Sequence, residues 1–206
     1  MKAELDFVHE FVPGSSKRTL LLLHGTGGNE HDLIPLGREL DPTAALLSPR
    51  GKVLEDGMPR FFRRLAEGIF DEEDLQKRTH QLADFVGAAA QDYEFAADEI
   101  VAVGYSNGAN IAASLLLLRP ETIHAAVLFR AMVPLVPEKL PDLSSVRVWI
   151  GAGNQDPIVS TSETQSLVEL LRSARADVTI RFVNAGHGLT GGEVEIARLW
   201  LAELMP

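Results

Sequence analysis

Ser106, Asp156 and His187 have the residue types and the spacing for covalent catalysis, with a hydroxyl nucleophile, an imidazole base and a carboxylate to orient it. Ser106 is the centre of Gly104-Tyr105-Ser106-Asn107-Gly108, which follows the apolar run Ile100-Val101-Ala102-Val103 and precedes a helical run from Ala109 to Leu118. A strand that turns sharply into a helix through such a sequence carries its serine at the apex, on strained backbone with the hydroxyl exposed. Flanking glycines let strand and helix backbones approach closely. The Asn107 amide, at the start of the helix, then faces the space where an oxyanion forms, helped by the positive end of the helix dipole.

The glycine and serine string by itself also occurs in ordinary turns, so its weight comes from its company. Asp156 lies in Gly151-Ala152-Gly153-Asn154-Gln155-Asp156-Pro157-Ile158-Val159, just beyond the run Arg147-Val148-Trp149-Ile150. A carboxylate there can orient an imidazole and stabilise its protonated form, although an Asp before Pro also serves as a turn or capping residue. His187, between Gly186 and Gly188 after the last expected strand, is the candidate base. His9, His80 and His124 do not leave an expected strand and read as surface residues. His24 is the rival base, but it precedes the serine, against the order nucleophile, acid, histidine. Its segment, His24-Gly25-Thr26-Gly27-Gly28, reads instead as an oxyanion loop in which the Thr26 amide is the second donor beside that of Asn107. Glycines after a strand also cradle phosphates, but the glycine or lysine spacings of nucleotide sites are missing.

These residues need a frame. Thr19 to Leu23, Ala44 to Leu47, Ile100 to Val103, Ala125 to Phe129, Val146 to Ile150 and Val178 to Val183 read as strands. Asp32 to Leu40, Glu72 to Asp92, Asn107 to Leu118, Ser162 to Ala174 and Glu193 to Glu203 read as helices. The alternation predicts a single α/β domain over residues 1–206, with a mostly parallel central sheet flanked by helices and no large cap. A further strand from Leu5 to Phe11 is expected to form an antiparallel hairpin with Thr19 to Leu23 through Pro13-Gly14-Ser15-Ser16. The irregular stretch from Ser48 to Phe70 is expected to wall a substrate pocket, with Met58, Phe61, Phe62 and Phe70 as apolar contacts. The alternative is that these aromatics fill the core beneath the loop. Arg60, Arg63 and Arg64 form a basic cluster around the aromatics; Arg60 and Arg130 are candidates for a polar or carboxylate group of the substrate, or for a structural role.

With 46% hydrophobic and 23% charged residues, the 206-residue chain can bury one sizeable core. A net charge of −10 argues against nucleic-acid and anionic-membrane partners, which need clustered Lys and Arg. The absence of cysteine removes disulfides, thiolate metal sites and a cysteine nucleophile. No apolar stretch approaches the ~18 residues of a membrane span, and the start from Met1 to Asp6 lacks the apolar centre of a signal segment. A cytoplasmic location is therefore expected.

Several longer strings are more specific than the serine turn: Leu23-His24-Gly25-Thr26-Gly27-Gly28-Asn29-Glu30, Gly57-Met58-Pro59-Arg60-Phe61-Phe62, Gly104-Tyr105-Ser106-Asn107-Gly108-Ala109-Asn110 and Met132-Val133-Pro134. Through them the chain, over essentially its whole length, resembles the phospholipase/carboxylesterase family of small α/β-hydrolases, which includes acyl-protein thioesterases, and within it the bacterial MhqD-type subgroup. The resemblance implies an α/β-hydrolase fold, a Ser106-Asp156-His187 triad, oxyanion amides from Thr26 and Asn107, no metal or organic cofactor, and homodimers as a common state. Arg130 stands where related thioesterases tend to carry small or polar residues. The expected activity is hydrolysis of small soluble carboxylic esters with short acyl chains, because the length leaves little room for a cap. Thioester cleavage or other acyl transfer on the same triad, and a non-catalytic ligand-binding protein on the same fold, are the alternatives.

Overall fold

Leu20 to Leu23 are all fully buried, and a run buried on both sides belongs inside a sheet that helices cover on both faces. The computed structural model places it there and describes residues 5–204. Met1 to Glu4, the greater part of the start that lacks a signal-like apolar centre, and the last two residues of the 1–206 range lie outside the described residues. In chain order the strands are β1 (His9–Val12), β2 (Thr19–Leu23), β3 (Ala45–Pro49), β4 (Val53–Glu55), β5 (Met58–Arg60), β6 (Arg64–Ala66), β7 (Ile69–Phe70), β8 (Ile100–Tyr105), β9 (Ala125–Phe129), β10 (Arg147–Gly153) and β11 (Asp177–Val183). The main sheet has the order β1-β3-β2-β8-β9-β10-β11, parallel except for β1.

The expected hairpin between the first two strands does not form. β1 pairs antiparallel with β3, His9 facing Pro49 and Val12 facing Leu46. β2 has no free edge, because β3 and β8 flank it on either side. The half-buried β1 takes the sheet edge, and the turn after it is carried over to β3 by the Ser15 and Ser16 amides, which both donate to the Thr43 carbonyl. Likewise, β10 runs on to Gly153 rather than stopping at Ile150, because Gly151, Ala152 and Gly153 find ladder partners in Arg181, Phe182 and Val183.

Successive side chains of each strand point to opposite faces. Leu21, Leu23, Ala102, Leu128, Val148 and Ile150 pack with α2 (Glu72–Asp92), α3 (Asn107–Leu118) and α4 (Thr161–Ser173). Leu20, Leu22, Val101, Val103, Phe129 and Trp149 pack with α1 (Ile34–Leu40) and α5 (Gly191–Ala202). Each fully buried leucine contributes about 1.5–3 kcal/mol of transfer free energy. Helix α1 starts at Ile34 rather than Asp32, since the Asp32 carboxylate is used in the preceding turn as acceptor for the Asn29 amide.

The last two long helices have strongly fixed starts. Ser160 and Glu163 cap α4 reciprocally, and Thr190 and Glu193 cap α5 in the same way. The chain leaves β2 toward β3 on one side, while β8 lies on the other. This reversal opens a crevice at the carboxyl ends of β2 and β8. Among the described residues no helix is long and apolar enough to cross a membrane.

Candidate active site

Ser106 joins β8 to α3 at φ 54°, ψ −115°, a conformation that costs a non-glycine residue about 1–3 kcal/mol. It occupies the N-cap position of α3, yet its side chain makes no capping hydrogen bond. Its amide donates to the Phe129 carbonyl, and the hydroxyl is left for His187. The glycines of the turn are there for space. A Cβ on Gly108 would stand 1.9 Å from the Leu23 carbonyl oxygen, and one on Gly104 2.6 Å from the Ala109 Cα.

The three residues expected to act together are together. His187 Nε2 lies 3.0 Å from Ser106 Oγ, and Nδ1 lies 2.8 Å from Asp156 Oδ2. Asp156 is fully buried at its side chain, and its other oxygen accepts the Ile158 and Val159 amides at 2.8 and 3.1 Å. An ionised carboxylate only accepts, so Nδ1 carries the imidazole proton and Nε2 is free to accept from Ser106. The capped starts of α4 and α5 follow the Asp156 and His187 loops directly, which fixes the far end of each loop.

Thr26 and Asn107 line a cleft of about 360 Å³ together with Ser106 and His187, while Asp156 lies buried behind His187. In the Thr26 loop the Gly27 amide donates to Pro59 and the Gly28 amide to Gly25. The Asn107 side chain accepts the Phe61 amide at 2.8 Å and so ties the 60s segment to the serine turn. Arg60, Arg64 and Glu67 give the cleft a polar side, and Phe70, Met132, Ile158 and Val159 an apolar one. Tyr105 and Asn110 line it too; Tyr105 is the last residue of β8, and Asn110 lies one helical turn after Ser106.

A family model for dienelactone hydrolases matches residues 55–197, more than half of the chain. The chain belongs to the dienelactone hydrolase family. It is 50% identical over 195 residues to MhqD of Bacillus subtilis (strain 168), a protein named as a hydrolase, covering 95% of this chain and 98% of that one. The carboxylesterase of Bacillus cereus is 52% identical with a TM-score of 0.95, over 97% of this chain and 95% of that one. A carboxylesterase from Mesorhizobium loti is 34% identical with a TM-score of 0.86, over 92% and 90%. The MhqD-type resemblance and the α/β-hydrolase fold read from the motifs are thus borne out.

In this dienelactone hydrolase family member, the other residues singled out from the sequence take different places. Phe61 and Phe62 are buried in the hydrophobic core, the alternative reading of the loop aromatics. Met58 is exposed on β5 and lies against Gly27 of the Thr26 loop. The segment expected to be irregular is two small hairpins, β4 with β5 and β6 with β7. Arg60 reaches the cleft but is itself buried; it donates to Thr26 Oγ1 at 2.7 Å and pairs with Glu55 at 3.2 Å. The Arg64 hydrogen bond, with Arg60 beside it, holds the Glu55 carboxyl below the usual carboxylate range. Arg130 faces the interior, in a bidentate pair with Glu193 at 2.7 Å. No sequence signal for that burial exists beyond Glu193 at the N3 position of a capping box.

His24, the rival base, is a buried structural residue of the Thr26 loop. Its Nε2 accepts the Gly51 amide at 3.0 Å, so the proton sits on Nδ1, which donates to the Gly25 carbonyl at 2.7 Å. Burial, only partly offset by the Gly25 carbonyl, pushes its pKa below 6.5. The unfolded chain titrates at about 6.5 and binds this proton first, so His24 makes stability fall as pH drops from there toward the folded value. Urea unfolding midpoints measured across this window should decline less steeply in His24→Gln than in wild type. Equal slopes would place the titration on another group.

Proposed function

We propose that the protein is a serine carboxylesterase that hydrolyses small soluble esters through a Ser106-His187-Asp156 triad and an acyl-enzyme. The observation that carries this reading is the unbroken relay from Ser106 Oγ to His187 Nε2 and from Nδ1 to a buried, doubly anchored Asp156 carboxylate. Ser106 Oγ attacks the ester carbonyl while its proton passes to His187 Nε2. The negative charge that develops on the carbonyl oxygen is met by the Thr26 and Asn107 amides, the second at the positive end of α3. The imidazolium, steadied by Asp156, then gives its proton to the departing alkoxide, and the alcohol leaves. Water enters, loses a proton to His187 and attacks the acyl-enzyme. Collapse of that intermediate returns the proton to Ser106 and releases the acid. No step needs a metal or organic cofactor, and the substrate is the only partner the mechanism requires.

Arg60 supports the Thr26 side of this arrangement, because its bond to Thr26 Oγ1 and its pairing with Glu55 fix the loop that carries the amide. The cleft volume lies near the lower end of small-molecule sites, about 300–1,000 Å³, and Arg60, Arg64 and Glu67 border it. Both features favour short acyl groups over long apolar chains. Across a series of p-nitrophenyl esters from acetate to palmitate, kcat/KM should peak at acetate or butyrate and fall by at least about tenfold by octanoate. A maximum at octanoate or beyond would contradict the short-acyl assignment.

A further inference from the structure

Arg130 is fully buried beside the proposed triad, and all five of its N–H groups are engaged. Nε donates to the Gly186 carbonyl at 3.0 Å and Nη2 to the Gly188 carbonyl at 2.6 Å, the residues on either side of His187. The carbonyl between them, that of His187 itself, accepts from Tyr105 Oη at 3.1 Å. Three consecutive carbonyls of the histidine loop are therefore held by two side chains from neighbouring strand ends. Burial keeps the Tyr105 phenol protonated, and so a donor, well past neutral pH. The remaining Arg130 donors reach the Gly151 carbonyl at 3.3 Å and both oxygens of Glu193 at 2.7 Å. Its guanidinium also stands 3.9 Å from the Asp156 carboxylate.

This pattern differs from that of an arginine that only closes a charge pair. A pair with Glu193 needs two donors; the other three are spent on the backbone that carries His187 and on the strand that leads to Asp156. The backbone of Arg130 is fixed as well, at φ 59° with its amide on Gly151. We infer that Arg130, assisted by Tyr105, is a positioning residue that holds the His187 loop in register with Ser106 and Asp156. The inference rests on the triad proposed as the catalytic machinery. It turns a residue expected to meet substrate into one that acts through the base. A shift of about 1 Å in a catalytic group costs about 10²-fold in rate, and this sets the expected scale.

The test compares wild type with Arg130→Lys, Tyr105→Phe and the double variant Arg130→Met/Glu193→Gln, which removes the arginine without stranding the buried Glu193 carboxylate. Competent sites are counted by exhaustive reaction with an organophosphonate, and kcat and KM for p-nitrophenyl acetate are expressed per counted site. The double variant should lose about 10²-fold in kcat with KM changed by less than about threefold, and Tyr105→Phe about fivefold in kcat. Arg130→Lys, with three donors on a single nitrogen, should recover the charge and the fold but remain about tenfold or more below wild type. If kcat per site stays within about twofold of wild type in Arg130→Lys and in any folded double variant, with losses confined to melting temperature or yield, Arg130 is merely structural and the inference is overturned. Ser106→Ala run alongside separates the two layers. Retained turnover there would overturn the triad reading and this inference with it, whereas an inert Ser106→Ala beside unaffected Arg130 variants would overturn the inference alone.

Discussion

Ser106→Ala is expected to lower kcat for p-nitrophenyl acetate by about 10⁶-fold, and His187→Ala by a similar factor, because the two act as one unit. The Ser106 side chain donates to His187 and takes no part in capping α3, so its removal leaves the helix start unchanged. Alanine keeps the Cβ, and with it the same backbone strain at φ 54°. The variant should therefore melt within about 2 °C of wild type, consistent with a surface-type change of under 0.5 kcal/mol. Residual activity some 10³-fold or more above water would reflect binding and the amides of Thr26 and Asn107 alone. Steady-state rates on protein purified away from host esterases, with circular dichroism to confirm folding, check both parts.

Asp156→Asn should cost about 10⁴-fold in kcat, the scale seen when a triad loses its correct imidazole tautomer. The structure gives the reason in this protein. One Asp156 oxygen accepts the Ile158 and Val159 amides, so an asparagine must turn its own carbonyl toward those two donors. Its NH₂ then faces His187 Nδ1, which must accept, and the imidazole proton moves to Nε2. A protonated Nε2 cannot take the Ser106 proton. Asp156 is fully buried at its side chain and does not line the cleft, so KM should change by less than about threefold. A drop of tenfold or less in kcat would mean that another acid orients His187.

The parts of the proposed site that are legible in the sequence are those where chemistry and backbone demand coincide. Ser106 sits where a strand must turn into a helix between glycines, and Asp156 and His187 leave later strands in the order the fold requires. Elements with a strong period or an unbroken apolar run, such as α2 and β2, were equally legible. Pairing was not: β1 carries nothing that names β3 as its neighbour, and only the double flanking of β2 decides it. The two arginines show the same limit. Arg60 and Arg130 look alike on paper, as cations near an expected pocket, yet one braces the Thr26 loop from the cleft wall and the other is spent entirely inside the protein. Their partners, Glu55 and Glu193, are separated from them by 5 and 63 residues, and a contact across the longer distance has no local signature. Phe61 and Phe62 likewise fill the core, and the bond from the Phe61 amide to the Asn107 side chain, which ties them in under the serine turn, spans 46 residues.

The most direct test of the account is covalent labelling. Wild-type protein incubated with a fluorophosphonate should gain one adduct per chain by intact mass, and peptide mapping should locate it on Ser106. Ser106→Ala should remain unmodified, and His187→Ala should react at least about 10³-fold more slowly. An adduct on any other residue, or a folded wild-type protein that stays unmodified while it hydrolyses p-nitrophenyl acetate, would contradict Ser106 as the nucleophile.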